Sequence, residues 1–139
     1  MINVKKLNNN ATIPTRANPT DAGLDLYADD YYVIDSKERN LIGTSIAIEI
    51  PDGYMARIAP RSGLSFKKGL DVMAGIIDSS YRGEIKVILI NHGHHDVGLH
   101  RGDKIAQLII QPIELWMPVE VDQLLETSRG ANGFGSTGV

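Results

Sequence analysis

Short apolar runs, broken at close intervals by Gly, Pro, Asn and Asp, most restrict what this chain can fold into. Ile, Val, Leu and Tyr fill the runs, as the pleated surface of a sheet favours. They predict strands over residues 2–7, 23–28, 31–34, 42–50, 54–59, 76–77, 84–90, 104–110 and 119–121. Ile46, Ile48 and Ile50 alternate onto one face, and Pro51-Asp52-Gly53 has turn composition. No run carries a helical period for long; the best helix is one or two turns over Ser62–Lys68. Many short strands with turn-rich links predict an all-β sandwich or jelly roll. At 139 residues the chain has the length of a single domain with a normal core.

Residues 129–139 break the pattern. Glycine there is too dense for a strand or a helix, so a β domain over 1–128 and a flexible C-terminal tail over 129–139 are expected. Gly133, Gly135 and Gly138 spell a dinucleotide-binding pattern, but the required βαβ context is missing. What remains is a stacking platform in Phe134, with Arg129, Ser136 and Thr137 as anion ligands.

Composition narrows the chemistry. There are no cysteines, which excludes disulfides, thiolate zinc sites and thiol nucleophiles. A formal net charge of -3 argues against coating nucleic acid, yet leaves room for a small anion held by a few local cations. No basic start precedes an apolar stretch and no apolar run approaches membrane-spanning length, so no membrane association and a cytoplasmic location are expected. No Walker-type phosphate loop is present.

Four further segments carry candidate chemistry. Asp78 follows Ile76-Ile77 at a strand end, where it suits either a general base or a turn cap. Asp25 lies between Leu24 and Leu26, so it is turned outward, paired, or placed to hold Mg²⁺ directly or through water. Arg61, Ser62 and Gly63 combine a planar donor fork, a hydroxyl and close backbone approach, which suits phosphate as well as a plain turn. Ala106, Leu108 and Ile110 form the better core face of their strand, leaving Gln107 in need of a partner: ligand phosphate, water or protein. His92, His94, His95 and His100 complete no zinc pattern.

Together these segments resemble the trimeric dUTPase family. Five motifs stand in order: Ala22-Gly23-Leu24-Asp25-Leu26-Tyr27-Ala28, Pro60-Arg61-Ser62-Gly63-Leu64, Gly75-Ile76-Ile77-Asp78-Ser79-Ser80-Tyr81-Arg82-Gly83-Glu84, Arg101-Gly102-Asp103-Lys104-Ile105-Ala106-Gln107-Leu108, and the tail from Arg129 to Gly138. The resemblance implies a jelly-roll-like distorted barrel and a homotrimer whose sites are shared between subunits. It implies hydrolysis of dUTP to dUMP and pyrophosphate. Asp78 would activate the attacking water, and Asp25 would hold Mg²⁺ through its waters. Arg61, Ser62 and Gly63 would take the α and β phosphates, and Gln107 a phosphate or the water. Backbone around Gly75 and Ile77 would read uracil, and Tyr81 would exclude a 2′-hydroxyl. Phe134 would cover the base, with Gly135 also binding substrate and Arg129, Ser136 and Thr137 at the terminal phosphate. Ser80 stands where an acid is frequent, Lys104 where Arg is, and Met73 where a small residue is common. A deaminase of similar fold and a non-catalytic binding module are the alternatives; the intact Asp78, Tyr81 and tail favour hydrolysis.

Overall fold

The computed structural model describes residues 1–133. Eleven strands and one helix follow in the order β1 (Asn3–Lys6), β2 (Leu24–Tyr27), β3 (Tyr32–Ile34), β4 (Arg39–Ile42), β5 (Ile46–Glu49), β6 (Tyr54–Ala59), α1 (Ser62–Lys68), β7 (Leu70–Met73), β8 (Ile76–Ile77), β9 (Val87–Asn91), β10 (Val97–Leu99) and β11 (Lys104–Pro112). All named strand pairs are antiparallel. They form four small sheets, ordered β1-β5, β10-β3, β2-β11-β6-β8 and β4-β9-β7. The expected all-β, jelly-roll-like fold is what the chain adopts, without closing into one barrel among the described residues.

Alternation builds the core. Val87, Leu89 and Asn91 on β9 point inward, as do Ile46, Ile48 and Ile50. They meet Leu26, Ile34, Ile42, Ile85 and Leu108, all buried, in one cluster. Each such side chain contributes roughly 1.5–3 kcal/mol on burial. The buried polar group Asn91 is satisfied: its amide donates to Ile34 O at 3.0 Å and His95 O at 2.9 Å, and its carbonyl accepts from Gly93 N at 2.9 Å.

Several sequence expectations need correction. The run over 42–50 holds only the last residue of β4 and then β5, with a break between them where Ser45 takes a positive φ of 53° and Ser45 N donates to the Glu84 carboxylate at 2.9 Å. The strand expected over 84–90 begins only at Val87; Glu84 O accepts instead from Tyr81 Oη and Ile85 N donates to Ile46 O. Residues 119–121 form no strand; they are exposed and have no ladder partner among the described residues. β7 and β10 were not expected. The core face of β11 is also not strictly Ala106, Leu108 and Ile110. A bulge between Lys104 and Ala106 buries Ile105 as well, while Ile110 is only half-buried.

Candidate active site

Strand β11 organises one part of the site. Gln107 lies opposite Asp25 on β2 and opposite Ala59 at the end of β6. Central pairing thus brings the segments around Asp25, Arg61 and Gln107 together. Residue 61 then leaves the sheet, with φ −97° and ψ 127°, to start α1 at Ser62. The helix has no acidic residue in its first turn and ends in Lys67 and Lys68, closed by Gly69 in the left-handed conformation. Gln107 Nε2 donates to Pro60 O at 2.9 Å, which ties β11 to the approach to α1.

These elements enclose a cavity of about 560 Å³ lined by Asp25, Arg61, Ser62, Gly63 and Gln107, among others. Five sequence-predicted residues therefore meet in one place. Asp21, Gly23, Lys67 and Lys68 line it too and were missed. The two lysines share the helix with Ser62 and Gly63, which is the signal that could have found them.

Asp25 is neither turned outward nor free. Its side chain is 13% exposed, and each oxygen faces a cation: Oδ1 takes Arg61 Nε at 3.2 Å and Oδ2 takes Lys104 Nζ at 2.6 Å. The bond to Asp25 raises the Lys104 ammonium above its ordinary value, against an opposing effect of desolvation. Among the described residues no group of three or more His, Cys, Asp or Glu could cage a metal. Asp25, with Asp21 also on the cavity wall, has spare lone pairs that suit a Mg²⁺ which keeps its waters and is carried by phosphates, so the residues fit that mode of binding.

Asp78 and Tyr81 lie elsewhere. Asp78, Ile77 and Tyr81 line a separate cavity of about 220 Å³ together with Ile76, Glu84 and Lys86. Asp78 is exposed and Ile76 is 56% exposed, so the carboxylate does not sit beside two buried isoleucines as its sequence suggested. It does start a turn, since Tyr81 N donates to Asp78 O at 3.1 Å. Tyr81 Oη donates to Glu84 O at 2.9 Å. Gly75 is buried between β7 and β8 with φ +104°, and a Cβ there would fall 2.7 Å from Ile58 O. Only glycine fits that position. Met73, the odd residue of this hairpin, is 40% exposed.

Arg129 is exposed and donates from Nε to Asn132 O at 2.8 Å; it lines neither cavity. Phe134, Gly135, Ser136 and Thr137 lie outside the described residues. His94 and His95 line a third cavity with Lys67 and Lys68, and His100 sits against Tyr31 with ring centroids 5.1 Å apart.

The cavity on this all-β chain combines a fork of arginine donors, two lysines and a clamped carboxylate, a donor set of the class suited to phosphorylated ligands. The comparisons narrow that class. The dUTPase family model matches residues 9–138. The chain is 52% identical to the deoxyuridine 5′-triphosphate nucleotidohydrolase of Arabidopsis thaliana, over 98% of this chain and 82% of that one. It is 46% identical to the enzyme of the same name from Helicobacter hepaticus, over 99% and 89%. Among solved structures, the Staphylococcus bacteriophage 80alpha dUTPase with dUPNHPP superposes with a TM-score of 0.95 at 30% identity, covering 100% of this chain and 99% of the phage chain. A phage phi11 dUTPase described with a structural Mg(II) ion superposes at 0.84 and 28% identity, covering 88% and 97%. The chain belongs to the dUTPase family, a family of nucleotide hydrolases.

Proposed function

We propose that the protein hydrolyses dUTP to dUMP and pyrophosphate, in sites shared between the subunits of a homotrimer. One observation carries the reading: Arg61, Ser62, Gly63 and Gln107 line one cavity while Asp78 and Tyr81 line another, so the two sets do not share a cavity within one chain. Association would bring the Asp78 set of one subunit against the Arg61 set of another. Leu115, Trp116, Met117, Val119, Leu124 and Leu125 are each more than three-quarters exposed, which supports association, because so much apolar surface needs cover.

In this reading Arg61, Ser62 and Gly63 bind the α and β phosphates, and Gln107 holds a phosphate oxygen or the attacking water. Asp78 takes a proton from that water. The water oxygen bonds to the α-phosphorus in line as the bond from that phosphorus to the bridging oxygen breaks, and pyrophosphate departs. Asp25 would hold Mg²⁺ through its coordinated waters; the ion, when bound, supplies positive charge to the phosphate oxygens. Backbone at Gly75 and Ile77 reads the uracil edge, and Tyr81 packs under the sugar. Residues 1–128 form the β domain, and 129–139 close the site, with Phe134 over the base, Gly135 also binding substrate, and Arg129, Ser136 and Thr137 at the terminal phosphate. No helix among the described residues is long and apolar enough to cross a membrane. With a net charge of -3, the reading is of a cytoplasmic enzyme that binds a nucleotide and no nucleic acid.

The test is incubation of the purified protein with Mg²⁺ and each of dUTP, dCTP, dTTP and UTP, with products resolved by chromatography. Conversion of dUTP alone to dUMP and pyrophosphate is expected. Uracil nucleotides from dCTP would instead indicate deamination. No reaction from an intact trimer would leave a binding protein.

A further inference from the structure

Lys104 is the residue that the site geometry singles out and that the reading above leaves without a role. It sits where a regular strand would not put it. Lys104 lies opposite Tyr27 and Ala106 opposite Leu26, so Ile105 is the extra residue of the bulge. In a regular ladder that counted Ile105, Lys104 would share the face of Ala106 and Leu108, the core face. With the bulge, Lys104 joins Gln107 and Asp25 on the face toward the cavity. The bulge thus re-aims one ammonium group at one carboxylate.

The carboxylate is shared. Lys104 Nζ holds Asp25 Oδ2 at 2.6 Å, and Arg61 reaches Oδ1 through Nε at 3.2 Å. Arg61 Nη1 also makes a long contact of 3.4 Å to Lys104 O. A guanidinium and a carboxylate left to themselves close into a bidentate pair, with two parallel N–H···O bonds. That pair would spend two of the five Arg61 donors on Asp25 and turn the fork toward the sheet. Here Lys104 Nζ holds Oδ2, Arg61 meets Asp25 at Oδ1 through Nε, and with Nη1 near Lys104 O it is the Nη2 side of the fork that is left to the cavity.

We propose that Lys104 is a positioning residue for phosphate binding: by holding one oxygen of Asp25 it competes with Arg61 for that carboxylate, disfavours the full bidentate pair and keeps the guanidinium turned to the ligand. The inference rests on the dUTP reading, and it makes Lys104 act through Asp25 rather than by touching phosphate.

Lys104→Met, Lys104→Gln and Lys104→Arg would be compared with the parent, and Lys104→Met would be repeated in an Asp25→Asn background. Steady-state hydrolysis of dUTP and the dissociation constant of the imido analogue dUPNHPP would be measured for each, with thermal melting as the control for folding. For Lys104→Met and Lys104→Gln, KM and the analogue constant should rise about tenfold with kcat within about threefold, the signature of lost uniform binding. Lys104→Arg should restore both, since it still occupies Oδ2. In the Asp25→Asn background, Lys104→Met should add less than about a twofold further rise, because no carboxylate remains to capture Arg61. An unchanged KM, a fall in kcat alone, or a full additional rise in the Asp25→Asn background would overturn the proposal. The last result would mean that Lys104 contacts phosphate itself. Failure of the parent to hydrolyse dUTP would refute the dUTP reading instead, and analogue binding would still report on Lys104.

Discussion

Replacing Gly83 by alanine should loosen the discrimination between deoxyribose and ribose. A Cβ built on Gly83 would lie 2.6 Å from Tyr81 Cζ and 3.0 Å from Cε2, where ordinary contact begins at 3.4 Å. The ring must therefore retreat by about 0.8 Å at Cζ, near the limit at which carbon atoms stop repelling. Tyr81 is 44% exposed, so it has somewhere to go. Its bond from Oη to Glu84 O, 2.9 Å, would be lost in the move. For an exposed pair that costs about 0.5–1.5 kcal/mol at most, or roughly 2–6 °C in melting temperature for a domain of this size. The functional cost should be larger. A displacement near 1 Å in a positioning group can cost about 10²-fold in rate, and a vacated ring leaves space for a 2′-hydroxyl. The ratio of kcat/KM for dUTP over UTP should fall by about tenfold or more. Paired substrate titrations with pyrophosphate detection measure it. A ratio within about twofold of the parent, in a folded variant, would refute the idea that Gly83 sets the position of Tyr81.

Other outcomes follow from the same geometry. Asp78 is exposed, so Asp78→Asn should melt within about 0.5 kcal/mol of the parent. It should bind dUPNHPP normally while turnover falls about 10²–10⁴-fold; undiminished turnover would remove Asp78 from the role of base. Truncation after residue 128 should preserve the fold and the subunit assembly while hydrolysis drops, and loss of assembly in sedimentation would show that the segment also joins subunits. Burial and the bond to Asp29 raise the Tyr32 phenol above its ordinary 10.0. The folded state therefore holds the proton more tightly than the unfolded chain. Stability from this group is present below pH 10.0 and is lost as pH rises through the raised value. Melting curves of Tyr32→Phe should lack that alkaline decline, starting from a lower baseline because Tyr32 Oη donates to Asp29 at 2.7 Å.

What could be read from sequence was whatever repeats locally. Ser62–Lys68 and β6 begin and end as expected, because turn residues and period change mark their limits. β7 and β10 escaped because a polar Asp71 and a Gly98 interrupt runs of four and three residues. The break within 42–50 meets the Glu84 carboxylate, 39 residues away from Ser45, and no window of adjacent residues contains that. The site shows the same limit. Arg61, Ser62, Gly63, Gln107 and Asp25 were legible as residue types and do share a cavity. The partner of Asp25 was not, since the side to which Lys104 points is decided by a bulge in the ladder. The apolar residues Val119 and Val121 are exposed, so hydrophobic character without a ladder partner does not mark a strand.

The separation of Asp25 from Asp78 reaches into genetics. If no single chain carries a whole reaction centre, an allele damaged at Asp78 and another damaged at Arg61 are not equivalent losses. Co-expressed, the two should assemble some centres from undamaged halves and recover a fraction of function that neither has alone. An allele that folds and associates but lacks its half would also silence centres on healthy neighbours. Inheritance of such defects would follow the arithmetic of assembly rather than of dosage.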